Sequence, residues 1–395
     1  MKRRIHILPL LLGFLLVAAC IEDYNPTLSD SDENLLVVSG TIRSDEVCTF
    51  ILSHTTGLNG EEYVTTLFVN SAVVSVLGDD GQRFNAQPIS KGMYRVNVGT
   101  LSPEHNYWLR IETAGLVFTS TPQRPLYADP IDTLTFTQHA DDRRVEIQVT
   151  CAPPSDGKSK YYRWDFEEYW EIFTPYRADF ELYIVNSWGG ITWSIDSARP
   201  PKNHGWAKNL TRESVMGSTD EYRDGRIYRK ALYTLDNTDD RLSQHYFTRI
   251  SQRSISREEY EYEQLRKKLS SEMGGLFTPL PSELPTNIHC ENGNRRVIGF
   301  VGVSGPPSRT TLSIRNSEIY FHNTHSPRDL EASEVEGWTY PQLYQAGYRI
   351  HYYEKRIGGK SVTWTYRWCV DCTDPMWGAS LERPAIWPND STSLN

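Results

Sequence analysis

The run Tyr161-Tyr162-Arg163-Trp164-Asp165-Phe166-Glu167 constrains this chain more than any other feature. Tyr162, Trp164 and Phe166 alternate with Arg163, Asp165 and Glu167. Successive side chains of a strand point to opposite faces, so the run puts aromatic rings on one side of a sheet and charges on the other. One face goes into a core and the other faces out. The alternation turns most of Glu167, Glu168 and Glu171 toward solvent. It offers no paired acids of the kind glycoside hydrolysis needs.

The same grammar runs through the rest of the chain. Short β-branched and aromatic runs at 35–42, 48–54, 72–77, 94–98, 107–113 and 116–120 read as strands separated by turns. Gly78-Asp79-Asp80-Gly81 is a hairpin signal. Pro122 and Pro125 cannot continue a central strand and mark a boundary. Further strands are expected at 131–137, 144–150, 227–232, 245–253 and 297–304. Spacing of this kind predicts a mainly β protein of two immunoglobulin/fibronectin-III-like β-sandwich domains, at 35–122 and 127–395.

The second domain is expected to carry long insertions, about 173–226, and one α-helix. The insertion is polar and holds Trp188, Trp193 and Trp206. Loops on a rigid scaffold are where binding residues concentrate. Exposed indoles there could stack on sugars or grip a protein, or they could simply pack. The helix, about 257–273, starts at Ser256 with Glu259 three residues on, a capping box. Ile255 and Tyr260 can staple its entry. Tyr262, Leu265, Leu269 and Met273 mark its apolar face, and Gly274 and Gly275 stop it.

The first 19 residues are an address. Lys2, Arg3 and Arg4 precede an apolar run from Ile7 to Ala19. At roughly 13 residues it falls short of the about 20 that span a bilayer, and it reads as a secretory signal. Val17-Ala18-Ala19-Cys20 is a lipobox, which makes the Cys20 thiol the lipidation site. Several acyl chains on one residue anchor a protein durably. Cleavage before Cys20 removes three positive charges, taking the formal net charge from −9 to −12. Residues 20–34 are acidic and aperiodic, a flexible tether that also resembles a surface-export address. Asp30, Asp32 and Asn34 lack the glycine and closing glutamate of a calcium loop.

An acidic body of this kind is unsuited to gripping phosphate backbones, so nucleic acid is not an expected partner. Hydrophobic residues at 38% and charged residues at 23% exclude general disorder and a multi-span membrane protein. Past Cys20, five cysteines remain: Cys48, Cys151, Cys290, Cys369 and Cys372. In an oxidising envelope Cys290 is a candidate disulfide partner for Cys369 or Cys372. Half a zinc site, a redox pair and free thiols are the other readings of Cys369-x-x-Cys372. No second pair completes a zinc set, and His322-x-x-His325 is likewise short of one. Gly302-Val303-Ser304-Gly305 misses the nucleophile-elbow spacing, and Pro306 and Pro307 follow where a helix should. No cofactor, metal or catalytic residue is implied.

Several of these pieces occur in an order that resembles one family. They are the lipobox with its acidic follower, the Tyr161-to-Trp170 strand, and Ser251-Gln252-Arg253-Ser254-Ile255-Ser256 leading into the tyrosine-rich helix. Gly275-Leu276-Phe277 with Pro279 and Pro281, Asn287-Ile288-x-Cys290, Gly299-Phe300 and Cys369-x-Asp371-Cys372 follow. Together they resemble the domain-of-unknown-function 4249 lipoproteins of Bacteroidetes. The resemblance implies a cell-surface outer-membrane lipoprotein, held by its lipid anchor beside a TonB-dependent β-barrel transporter. It would serve nutrient capture or uptake without catalysis, its ligand a small molecule, glycan or peptide. Two departures stand out. Trp377-Gly378-Ala379 replaces the usual glycine pair, and a cysteine common between the positions of Cys290 and Cys369 is missing. A stand-alone glycan- or peptide-binding adhesin and an envelope hydrolase with scattered residues are the alternatives.

Overall fold

The computed structural model describes residues 35–55, 67–154, 158, 160–187, 190–197, 200–210, 213–272 and 284–388. Cys20, the tether and Trp188 lie outside them.

The chain is mainly β. Its first unit holds two sheets. One runs Val297–Ile298, Leu36–Ser39, Val47–His54, Met93–Asn97, Gln87–Pro88, with Leu67–Phe68 also on Val47–His54. The other runs Ile288–Cys290, Leu116–Ser120, Tyr107–Thr113, Val73–Gly78, Arg83–Asn85. Alternate residues of both sheets, among them Phe50, Leu52, Val74, Val76, Leu109 and Ile111, meet in one core. Each such side chain contributes about 1.5–3 kcal/mol by leaving water.

The boundaries read from sequence need one correction. The stretch 286–304 sits in the first unit, not the second. Val297 and Ile298 pair in parallel with Leu36 and Val37, and Ile288–Cys290 pairs antiparallel with Leu116–Ser120. Val303–Ser304 pairs with Ile42–Arg43. Parallel partners arriving from far along the chain leave no mark in local periodicity. Gly299, at φ +137°, makes the approach possible, because a Cβ there would lie 2.1 Å from the Val38 carbonyl oxygen.

The second unit is built on Tyr161–Phe173, flanked by His204–Leu210 and His245–Ile255, with Ser308–Arg315 beyond; Val215–Ser218 also pairs with Tyr161–Phe173. A three-stranded sheet of Thr133–Gln138, Val145–Cys151 and Ile227–Leu235 supplies Val149, Val145 and Ile147 to two adjoining cores. Tyr162 and Trp164 are fully buried, as the alternation requires. The Trp164 Nε1 donates to Gln252 Oε1 at 2.7 Å.

The stretch 173–226, expected to hold insertions, contains regular strands. His204–Leu210 and Val215–Ser218 are sheet strands, and Phe180–Ser187 pairs with Gly190–Ser197 as a hairpin. That hairpin shares a small core with Tyr348–Arg356 and Gly359–Tyr366, through Leu182, Ile350 and Trp364. Two short helices, Ala332–Val335 and Tyr340–Gln345, accompany it, so Arg257–Glu272 is not the lone helix.

The Arg257–Glu272 helix begins as its sequence dictates. Ser256 Oγ accepts from the Glu259 N–H at 3.0 Å. Tyr262 stacks on Phe300, their ring centroids 5.5 Å apart. The Glu259 carboxyl is buried against Gly302, and its Oε2 has no partner.

The two units meet through charge. Arg43 and Glu46 come from the first, and Asp165, Arg253 and Arg309 from the second. Arg253 and Arg309 reach Glu46 Oε1 at 2.6 and 2.9 Å, and Arg43 reaches Asp165 at 3.5 Å.

Candidate functional site

The odd-numbered face of Tyr161–Phe173 has two ends. At the first, Arg163 and Asp165 are covered by the N-terminal unit. At the second, a cleft of about 600 Å³ opens, lined by no described residue of that unit.

Register explains what lines it. Glu171 pairs with Trp206 on one side. One step beyond the Trp170–Tyr246 pair, the ladder brings Glu171 opposite His245. His245 in turn pairs with Arg315. Trp206, Glu171, His245 and Arg315 therefore form one row across four adjacent strands, and all four line the cleft. The neighbouring positions Ile172, Tyr246 and Ile314 point the other way and are buried in cores.

The row is held in place by short contacts. His204 Nε2 meets Glu171 Oε1 at 2.8 Å. Phe173 stacks on the His204 ring at 4.2 Å with planes 9° apart, and Trp206 lies against the same ring at 4.5 Å. His245 Nε2 meets Ser313 Oγ at 2.6 Å. Gln244, Asn316 and Ser317 add amide and hydroxyl groups.

The chain's last described residues build the opposite wall. Ser380 closes the edge of the sheet by exchanging two backbone hydrogen bonds with Trp206, each 2.8 Å. Gly205 permits this, since a Cβ would lie 2.6 Å from the Ser380 carbonyl oxygen and 2.7 Å from Cys372 Sγ. Beyond it Trp387 meets His245 edge-on at 4.9 Å, and Arg383 donates to the Pro388 carbonyl at 2.6 Å. Both line the cleft. One polar atom there is unaccounted for: Trp206 Nε1 is buried without an acceptor.

A second concavity of about 630 Å³ lies between the Arg257–Glu272 helix and Leu36–Ser39. Its charged groups satisfy one another: Arg266 with Glu263 at 2.6 Å, Arg163 with Asp165 at 3.4 Å. Glu259 is the exception, its carboxyl pushed up to about 7 by burial.

Of the tryptophans singled out in the sequence, Trp206 is in the cleft. Trp193 is elsewhere, 41% exposed on the Gly190–Ser197 strand beside Tyr340. Trp188 lies outside the described residues. The expected clip between Cys290 and Cys369 or Cys372 is not made. All five described cysteines are free. Cys290 packs against the first core, whereas Cys372 packs with Trp377 and Ile172, so the backbone carries them to different places. Among the described residues no group of three or more His, Cys, Asp or Glu is placed to hold a metal. Sequence reasoning missed Glu171, His245, Arg315, Arg383 and Trp387. Period two gives the face each of the first three takes on its strand, and only the strand register brings them together.

A family model described as a domain of unknown function (DUF4249) matches residues 21–310. No curated protein matches the chain. The match includes Glu171, His204, Trp206 and His245 and stops before Arg315, Arg383 and Trp387.

Proposed function

The chain belongs to the DUF4249 family, and on that premise we propose that it is a lipid-anchored outer-membrane binding protein. It acts without catalysis, as the accessory of a TonB-dependent β-barrel transporter in nutrient capture. Cys20 carries the anchor, and the acidic tether sets the body off the membrane on the cell surface. The observation that carries the reading is the cleft, with its aromatic walls, convergent polar groups and the Trp206 N–H that lacks an acceptor. Its volume is that of a small-ligand site. We read both units as immunoglobulin/fibronectin-III-like sandwiches. Two sheets sharing one core in the first unit, and a second sheet pair around adjoining cores in the other, support this.

Purification of the lipidated protein from its own membranes in mild detergent tests the reading. A barrel transporter should come with it at near-equal amount. Repeated recovery of the lipoprotein alone sinks the partnership.

Two other readings have an observation each. Exposed Trp193, Tyr183 and Val185 on one hairpin favour a stand-alone glycan- or peptide-binding adhesin. Cells lacking the transporter would then still adhere. The Glu171–His204 and His245–Ser313 pairs favour an envelope hydrolase. Release of product from a bound oligosaccharide would support it.

A further inference from the structure

We infer that the cleft binds a saccharide carrying a carboxylate. The inference rests on the cleft being a ligand site and goes further, to the ligand's class.

Charge comes first. Arg315 and Arg383 line the space, with one carboxylate, Glu171, among the lining residues and that of Glu318 on the Arg315 backbone N–H. Glu171 is already engaged by His204 at 2.8 Å. An anion entering beside these guanidiniums meets their remaining N–H donors, and arginine's planar fork suits a carboxylate.

Shape and polarity select a sugar over a peptide. Trp206 and Trp387 line the cleft, and indole surface of this kind suits the C–H face of a pyranose. Gln244, Asn316 and Ser317 offer the mixed donors and acceptors that hydroxyls use. A peptide adding itself as a strand along His204–Leu210 would need that edge open at Trp206. The Trp206 N–H and C=O are already taken by Ser380.

The test is calorimetric titration of the full lipidated protein in detergent. The probes are trisaccharides of galacturonic, glucuronic and mannuronic acids and a sialyl-trisaccharide, each beside its carboxyl-reduced form. At least one acid should bind, and its reduced form should bind tenfold or more weakly. Arg315→Gln and Arg383→Gln should each weaken the acid about tenfold and leave the reduced sugar unchanged. Both residues are exposed, so neither change disturbs a core. Trp387→Ala should weaken both forms. Equal binding of acid and reduced sugar overturns the inference while sparing the cleft as a ligand site. Acid binding indifferent to both arginine changes overturns the assignment to this cleft. Silence across the panel overturns the inference, while co-purification with a transporter tests the partnership independently of it.

Discussion

Arg253 and Glu46 join the two units through an ion pair of 2.6 Å, with the Arg253 side chain 1% exposed. Arg253 also donates from Nη1 to the Gly305 carbonyl at 2.7 Å, so its charge is held from both units. Losing the partner of a buried charge costs about 3–5 kcal/mol, and the low end applies here because Glu46 is itself 28% exposed. Glu46→Gln should therefore lower unfolding stability by about 3 kcal/mol in urea denaturation. Adding Arg253→Met to that variant should restore much of the loss. A single variant as stable as the parent would show that the pair does not hold the interface.

Glu168 makes the same argument inside one unit. It is 1% exposed and accepts from Arg241 Nη1 at 2.8 and 3.0 Å and from the Tyr246 hydroxyl at 2.6 Å. Glu168→Ala leaves Arg241 with Asp239 alone and opens a polar void. A loss of about 3–5 kcal/mol is expected, read by thermal or chemical unfolding.

Glu168 also marks how far the sequence could be read. Period two placed Tyr162, Trp164 and Phe166 correctly, and the strands of the first unit lie where β-branched runs and turns put them. The same rule places Glu168 on the inner face, the exception among Glu167, Glu168 and Glu171. What decides is Arg241, more than seventy residues away, and distance in sequence hides it. The cleft was hidden for the same reason. Trp206 stood out by type, but Glu171, His245 and Arg315 become neighbours only through strand register. Trp387 arrives by a tail with no periodicity. Local pattern reports a residue's face and not its cross-strand partner.

Glu259 gives a pH signature. Its carboxyl is raised from 4.5 to about 7, chiefly by burial, with Oε2 unpartnered. Between those values the folded protein keeps a proton that the unfolded chain gives up. Stability therefore falls as pH rises from about 4.5 to about 7 and is level above that. Glu259→Gln keeps the shape and removes the titration. It should match the parent at pH 4 and exceed it by about 3 kcal/mol at pH 8. Parallel stability curves for the two proteins would contradict the buried neutral acid.

The free thiols are testable by labelling. Burial pushes Cys151 up to about 12 and Cys372 up to about 11, and it raises Cys48 and Cys369 as well. Thiolates are the reactive form, so these four should resist alkylation in the folded state at pH 8. Cys290 is the more accessible of the five. Iodoacetamide should modify Cys290 first, and all five after denaturation without reductant. A pair of positions that labels only after reduction would show a disulfide.

The seam at Gly299 offers the sharpest test of the first unit's composition. Gly299 sits at φ +137°, which a side chain rarely adopts, and a Cβ would lie 2.1 Å from the Val38 carbonyl oxygen and 3.0 Å from the Val38 carbonyl carbon. Both atoms are backbone and cannot swing aside. Gly299→Ala must therefore push the 297–304 segment off the Leu36–Ser39 edge. Val297, Val301 and Val303 would then leave a core in which they are now buried. Each buried valine contributes at least about 1.5 kcal/mol, and the expected loss is several kcal/mol. Hydrogen exchange locates it. Protection should fall in Leu36–Ser39 and Ile42–Arg43 together with 297–304, while Tyr161–Phe173 and His245–Ile255 keep theirs. Loss confined to 297–304 would mean that the first unit does not depend on this late segment and ends near residue 122 after all.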